Sequence, residues 1–435
     1  LYNDTGDERW HVLVVDAITG ETRYDIPDRK AEIALATEIP WIVLTKAEKR
    51  RSFKGLELYH PKKGSFPITE TGTLAKDTTC RNLPLTFGTR GLTGASSRAL
   101  RPEGISENEF FIQEAKTLSL VRIASYPNPV ETQPFCTISM EGHYSLFSIN
   151  DVNSDGDLDI LLESSNDTKL HVIRAKDSRP LISFPIGGAI RVPICAKMSP
   201  EDTELTTYFV DSANRLQAWR AVKSTPRKLW EKPVNPRIAV GAPPTVTAFD
   251  FDCDGHKEIL TGLPENRVAL LNANGDIVQE RMLQSPPIDW AIGCFTGDDR
   301  YDVAVVISPS QTEQKTIALD PAKGLETVWE FNYGPYYGFP AVCDVNRDGI
   351  DDTILRSFFM RHILDGRNGL DLYPVTWMQG HHCPTVVYPY GDAKEPLIVY
   401  SGGVYSHRVE KLDGTRVWNQ WAQSYMKIGC VGDFD

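Results

Sequence analysis

Apolar residues in this chain come in short runs broken by turn residues, and almost nowhere repeat with the period of a helix. Three segments align with one another: 150–163, 249–261 and 342–356. Each is an apolar run, then D-x-[DN]-x-D-G, then an acidic residue, then a second apolar run. Weaker copies occupy 293–307 and 390–400, and each copy is followed by a short run and a Gly turn that ends near an aromatic, as in 318–330, 363–374 and 409–419. One unit therefore reads strand, acidic loop, strand, loop, strand, tight turn, strand. Short strands spaced by turn signals predict an all-β architecture.

First strands are expected near Ala31, Asn82, Tyr144, Arg191, Pro244, Ile288, Phe339, Thr385 and Lys427. Their spacing of about 40 to 60 residues is the period of four-stranded propeller blades. The expectation is a single β-propeller over residues 1–435, with nine blades counted; seven or eight are compatible with the degenerate units before Gly142. The tail, Gly432-Asp433-Phe434-Asp435, reads as the opening of an acidic loop, and the head through Trp10 reads as the remainder of a unit. N- and C-terminal strands sharing one blade would close the ring and remove its free edges.

The acidic loops carry the clearest chemistry. D-x-[DN]-x-D-G sets carboxylates at alternate positions of a sharp turn, so that their oxygens converge on one hard cation; calcium, with 6–8 oxygen ligands in flexible geometry, suits such a loop. The expected ligands are Asp151, Asn153, Asp155, Asp157 and Asp159; Asp250, Asp252, Asp254 and Glu258; and Asp344, Asn346, Asp348 and Asp352. An EF-hand would need flanking helices, and β patterns flank these loops instead. The expected role of the calcium is structural. The copy at Thr296, Asp298, Asp299 and Asp302 lacks the first carboxylate and is expected to bind weakly or not at all.

Composition narrows the classes. The 435 residues include 46 Lys+Arg and 58 Asp+Glu, a net charge of −12 for which the acidic loops account almost entirely. No basic block points to nucleic acid, and no apolar stretch approaches the roughly 18 residues of a membrane span. No signal peptide opens the chain, and a monomer is favoured. Of the eight cysteines, Cys195, Cys294, Cys343 and Cys430 fall on expected first strands, Cys383 just before one and Cys253 in an acidic loop. They read as buried free thiols, with one or two disulfides involving Cys80 and Cys136 as the alternative. Asn3-Asp4-Thr5 and Asn166-Asp167-Thr168 are glycosylation sequons. P-loop, GxSxG, HExxH and dinucleotide motifs are absent from the sequence.

The D-x-[DN]-x-D-G strands resemble FG-GAP (VCBS) repeats, and the aromatic-ended Gly turns resemble quinoprotein-type repeats. The mixture looks like that of propeller polysaccharide lyases acting on rhamnogalacturonan, ulvan or rhamnosyl-glucuronate. The resemblance implies a secreted or periplasmic propeller that binds an acidic, uronate-containing polysaccharide and cleaves it by β-elimination. The alternative is a non-enzymatic glycan- or protein-binding adhesion propeller with structural calcium. A glycoside hydrolase would need two suitably spaced carboxylates, of which only Asp289 is evident.

Loops entering first strands, and loops joining second to third strands, would share the face opposite the acidic loops. They collect basic and aromatic residues on a chain that is acidic overall. A lyase needs a base, an acid and a group that neutralises the uronate carboxylate. The expected base is His143 or His382, the acid Tyr337 or Tyr144, and the neutralising group Arg191 or Arg361. Trp290, Tyr336, His381, Tyr405, His407 and Arg408 are the expected substrate-binding residues, with plain packing the competing role for Trp290 and Tyr336.

Overall fold

The structure is a computed structural model. It describes residues 2–3, 10–15, 21–35, 41–49, 52–60, 62–67, 79–81, 109–114, 117–123, 130–137, 144–153, 155–164, 167–187, 191–222, 225–235, 246–298, 300–310, 312–334, 340–356, 360–377, 385–389, 396–402 and 406–421. Among these residues the strands form nine antiparallel sheets. The first has three strands, Tyr2–Asn3, Trp10–Val15 and Thr22–Pro27. The other eight have four strands each, paired in chain order, and cover 29–67, 79–137, 144–185, 191–233, 246–282, 287–333, 341–377 and 385–421. Eight of the expected first strands begin where the repeat placed them, from Arg29–Leu35 to Thr385–Pro389. The ninth, near Lys427, lies outside the described residues.

The chain divides into two compact units. One comprises 1–83, 104–139 and 376–435; the other comprises 84–103 and 140–375. The first unit holds the first three sheets and the ninth. In its second sheet Leu44 and Leu58 are fully buried and Arg29 pairs with Glu57. In the ninth, Leu397 and Val409 pack with Val417 and Trp418.

In the second unit the core lies between successive sheets. Residues of the fourth sheet such as Val172 and Phe184 pack on Phe209 and Trp219 of the fifth. Tyr208 and Leu216 of the fifth meet Ile259 and Leu271 of the sixth. The sixth and seventh join through Leu260, Leu270, Val303 and Val305, and the seventh and eighth through Phe295, Trp329, Val342 and Leu355. A middle strand sandwiched on both faces must be apolar throughout, and Val303–Ile307 is buried at every position. The outer strand Ile277–Met282 is half-exposed along its length and alternates accordingly.

The aromatic-ended Gly turns lock neighbouring sheets together. Trp230, on the fourth strand of the fifth sheet, donates its indole N–H to the Ala273 carbonyl of the sixth at 2.9 Å. A Cβ added at Gly275 would lie 2.5 Å from the Trp230 ring. Trp329 of the seventh sheet repeats the contact, donating to the Gly366 carbonyl of the eighth at 2.6 Å, with its ring against Gly369. Between the sixth and seventh sheets Arg281 takes this role and donates to the Leu325 carbonyl at 2.8 Å. The turns need glycine because the indole covers the space a side chain would fill and because Gly275 and Gly369 have φ of +79° and +70°. Backbone bonds near the acidic loops add a second seam: Lys257 N–H to Met198 O at 2.7 Å, Tyr301 N–H to Phe251 O at 3.3 Å, and Asp351 N–H to Cys294 O at 2.9 Å.

Trp329→Ala should cost about 3–5 kcal/mol, the range for emptying a buried Trp site. Gly369→Ala should also destabilise, because the new methyl meets the ring at 2.8 Å. In the double variant the two losses should fall short of adding, since the ring that this methyl would strike is gone. Urea unfolding of the three variants checks this; fully additive losses would remove the lock from the account.

Candidate functional site

Each acidic loop joins the first strand of a sheet to its second, and three of them share one hydrogen-bond plan. In the fourth sheet, Asp151 accepts from Asp155 N–H through Oδ1 (3.0 Å) and from Gly156 N–H through Oδ2 (2.9 Å). Asn153 Oδ1 also accepts from Asp155 N–H, and Asp155 Oδ1 accepts from Asp157 N–H. The same bonds recur at Asp250, Asp252 and Asp254 in the sixth sheet. They recur again at Asp344, Asn346 and Asp348 in the eighth. The sixth residue of each loop, Gly156, Gly255 and Gly349, has φ between +86° and +91°, which the tight turn requires.

The ninth residue closes the loop from below. Asp159, Glu258 and Asp352 each accept the backbone N–H of the loop's second residue, Val152, Phe251 and Val345, at 3.0–3.1 Å. This ties the start of the loop to the start of the second strand. The carboxylates stand where the sheet core begins, and burial, with a smaller push from neighbouring carboxylates, raises all three to about 7. Asp159 is fully buried, and its Oδ1 has no hydrogen-bond partner. In the sixth sheet one oxygen each from Asp250, Asp252 and Asp254 lies within 4.8 Å of the others. Oxygens about 2.3–2.6 Å from a central calcium have that mutual spacing. In the sixth sheet three of the expected ligands are thus brought together; in the fourth, the Asp157 carboxylate pairs with Lys176, at 3.3 Å.

The seventh sheet departs from this plan as its sequence suggests. Cys294 stands at the first position and is not in a disulfide. Asp302, at the ninth, accepts from Phe295 N–H, Thr296 N–H and the Thr296 hydroxyl at 2.8–3.1 Å. Burial raises it less, to about 6. Thr296 also donates to Asp298, while Asp299 lies outside the described residues. Cys195, Cys253 and Cys343 are likewise outside disulfides; against the expectation of buried thiols, Cys253 is exposed on its loop and Cys195, Cys294 and Cys343 are half-buried, with burial still pushing the Cys343 thiol up to about 12.

Loops entering the first strands leave each meander at the edge opposite its acidic loop. In the second unit, Tyr144 opens the strand Tyr144–Asn150 and Arg191 opens Arg191–Ala196, both placed by their backbones. His143, Tyr336 and Tyr337 lie outside the described residues. Trp290 is 5% exposed, and its indole N–H donates to Thr247 Oγ1 at 3.0 Å, so it is a packing residue and not an open stacking platform. Asp289 beside it is buried and accepts the Trp290 N–H. Arg361 is 2% exposed, within the strand Met360–Leu364. In the first unit, His381, His382 and Tyr405 lie outside the described residues, and His407 and Arg408 are placed by backbone on the strand Ser406–Lys411.

Two His contacts were not read from the sequence. His362 Nδ1 lies 3.1 Å from Asp371 Oδ1 and edge-on to Phe331. His171 bridges Asp167 at 3.0 Å and Ser183 at 2.9 Å, across paired strands. Both pairings are local to one sheet. The only sequence signal for His171 is its alternation with Leu170 and Val172, which points it away from the core they enter.

No family model and no curated protein sequence matches the chain. Among solved structures, the Saccharomyces cerevisiae protein Sqt1 superposes over 92% of this chain and 97% of its own with a TM-score of 0.50, at 9% identity. BamB from Moraxella catarrhalis (71% of this chain, 84% of its own, 9% identity) gives a TM-score of 0.40. The quinohemoprotein alcohol dehydrogenase ADHIIG from Pseudomonas putida HK5 (86% and 72%, 10% identity) gives 0.42. Sqt1 is a β-propeller, and the likeness is one of fold: the chain is all-β, with the four-stranded sheets of a β-propeller.

In the cation-free protein the raised carboxylates make stability depend on pH. Below about 4 both folded and unfolded chains hold these protons. Between about 4 and about 7 the unfolded chain releases them while the folded chain retains them, so rising pH favours unfolding, and above about 7 the loss is complete. Asp159→Asn removes one such group. In excess EDTA its melting temperature should fall less between pH 4 and pH 7.5 than that of the parent protein; equal falls would show that Asp159 does not titrate in this window.

Proposed function

We propose that this chain is a cation-stapled propeller that recognises an acidic, uronate-containing polysaccharide and cleaves it by β-elimination. The reading has two parts with different supports.

The cation part is carried by one observation, the fully buried Asp159 oxygen without a partner at the foot of an acidic loop. A buried ionised group left unpaired costs more than its fold returns, so an external cation is the natural partner. All-oxygen donor sets of carboxylate, amide and backbone carbonyl suit calcium. Asp151, Asn153, Asp155 and Asp159 would hold it in one loop and Asp250, Asp252, Asp254 and Glu258 in a second; Asp344, Asn346, Asp348 and Asp352 offer the same donor types in a third. Its role there is structural: it would fix the turn between first and second strands.

The carbohydrate part is supported by the segregation of residues between the two loop ends. The acidic loops occupy one edge of each meander, and Tyr144, Arg191 and Arg361 fall at or near the other. His407 and Arg408 stand on the third strand of the ninth sheet, and His143, Tyr337, His381, His382 and Tyr405 neighbour these positions in the sequence. In β-elimination His143 or His382 would take the proton beside the uronate carboxylate. Arg191 would neutralise that carboxylate, and Tyr144 or Tyr337 would protonate the leaving oxygen. Arg361 is too deeply buried for direct contact, so its part would be to position the strand it lies on. The alternative reading is a propeller that binds glycan or protein without cleaving it. A secreted or periplasmic location accompanies either reading.

Two measurements test the parts separately. Calcium added to EDTA-treated protein should raise the melting temperature, because it binds the folded state; an unchanged melting temperature would remove the cation. Incubation with a panel of uronate polysaccharides should generate the ultraviolet absorbance of an unsaturated uronate, abolished in His143→Ala or His382→Ala. Retention on an immobilised glycan without that absorbance would leave the binding propeller. Absence of both would end the carbohydrate reading.

A further inference from the structure

The three motif-matching loops differ in what surrounds them. In the eighth sheet the hairpin between third and fourth strands reaches back to the acidic loop at two points. The Gly366 N–H donates to Asp352 Oδ1 at 3.2 Å, so both oxygens of that buried carboxylate are satisfied. The guanidinium of Arg367 pairs directly with Asp348, the fifth-position carboxylate.

In the fourth sheet the first point is open and the second is closed only by a long ion pair. Asp159 Oδ1, the counterpart of Asp352 Oδ1, has no partner. Arg174 makes two bonds to Asp177, at 3.2 and 3.0 Å, and reaches Asp155, the fifth-position carboxylate, only at 3.8 Å. Lys176 pairs with Asp157, at the seventh position. In the sixth sheet the hairpin 272–276 carries no Lys or Arg, and among the described residues Asp250, Asp252 and Asp254 have no ion-pair partner.

We propose that Arg367 is the resident counter-ion of the Asp344 loop. That loop is closed by the protein's own guanidinium and by the Gly366 N–H, and it leaves external calcium to the Asp151 and Asp250 loops. The inference rests on the cation reading above and refines it, since sequence alone ranks the Asp344 loop with the other two. A tethered guanidinium occupies its carboxylate at a high effective concentration, and a divalent ion must displace it to bind. In the fourth sheet the nearest guanidinium is held mainly by Asp177 and stands farther from the fifth-position carboxylate, so the ion meets a weaker competitor there.

Calcium titration calorimetry on the full chain at pH 8 tests this, with Asp159→Asn, Asp348→Asn and Arg367→Ala as variants. Asp348 and Arg367 are partly exposed, so these two substitutions should leave the fold intact, which circular dichroism verifies. Asp159→Asn should lose one equivalent of bound calcium relative to the parent protein. Asp348→Asn should lose none, and Arg367→Ala should gain one. Loss of an equivalent in Asp348→Asn, or no gain in Arg367→Ala, would overturn the proposal while leaving the cation reading in place. A parent protein that binds no calcium would instead sink the cation reading, and the Arg367→Ala titration would still decide whether the guanidinium had been blocking a site.

Discussion

The ninth-position carboxylate holds the repeat together. In the four acidic loops of the second unit that have one, at Asp159, Glu258, Asp302 and Asp352, it accepts the N–H of the second loop residue. That residue, Val152, Phe251, Phe295 or Val345, is buried. One hydrogen bond therefore fixes where the first strand ends, where the second begins and which apolar side chain enters the space between sheets. Placing a carboxylate at that depth has an electrostatic cost, visible in the raised proton affinity of all four groups. Much of the remaining loop chemistry offsets that cost.

The fifth sheet shows that the geometry survives without the full motif. There Asp202 accepts from Met198 N–H and Ser199 N–H and lies near Arg220 at 3.4 Å. A carboxylate caps the same turn from a different sequence position, and its counter-ion comes from the third strand. The requirement is thus a carboxylate acceptor under the turn with a positive charge in reach, and D-x-[DN]-x-D-G is one way to meet it.

Much of this was legible in the sequence, because its signals are short-range. The acidic loops are defined by residues within nine positions of one another, and the first strands follow from the repeat period. What could not be read depends on partners far along the chain. Trp329 finds Gly366 and Trp230 finds Ala273 at separations of 37 and 43 residues, so the aromatic and the turn were visible but not their pairing. Trp290 looked equally suited to a sugar platform or to packing; its bond to Thr247, 43 residues earlier, decides for packing. Asp157 sits in the motif's alternating register, and its contact with Lys176, 19 residues later, was not visible there.

The seventh sheet shows the counter-ion argument from the side of a lost site. With Cys294 at the first position, the loop has one carboxylate fewer to balance, and Asp302 Oδ2 accepts from three donors. Asp351 of the next sheet uses the freed space: its carboxylate accepts the Cys294 N–H at 2.9 Å while its own N–H donates to the Cys294 carbonyl. The buried Asp320 on the third strand takes its positive charge from Lys323, at 2.8 Å. Along the second unit the loops thus run from one with an unanswered oxygen, through one closed by a guanidinium, to one that has given up the motif. The same backbone turn persists in all of them because it is set by the ninth-position bond, which needs a carboxylate and is indifferent to which cation balances it.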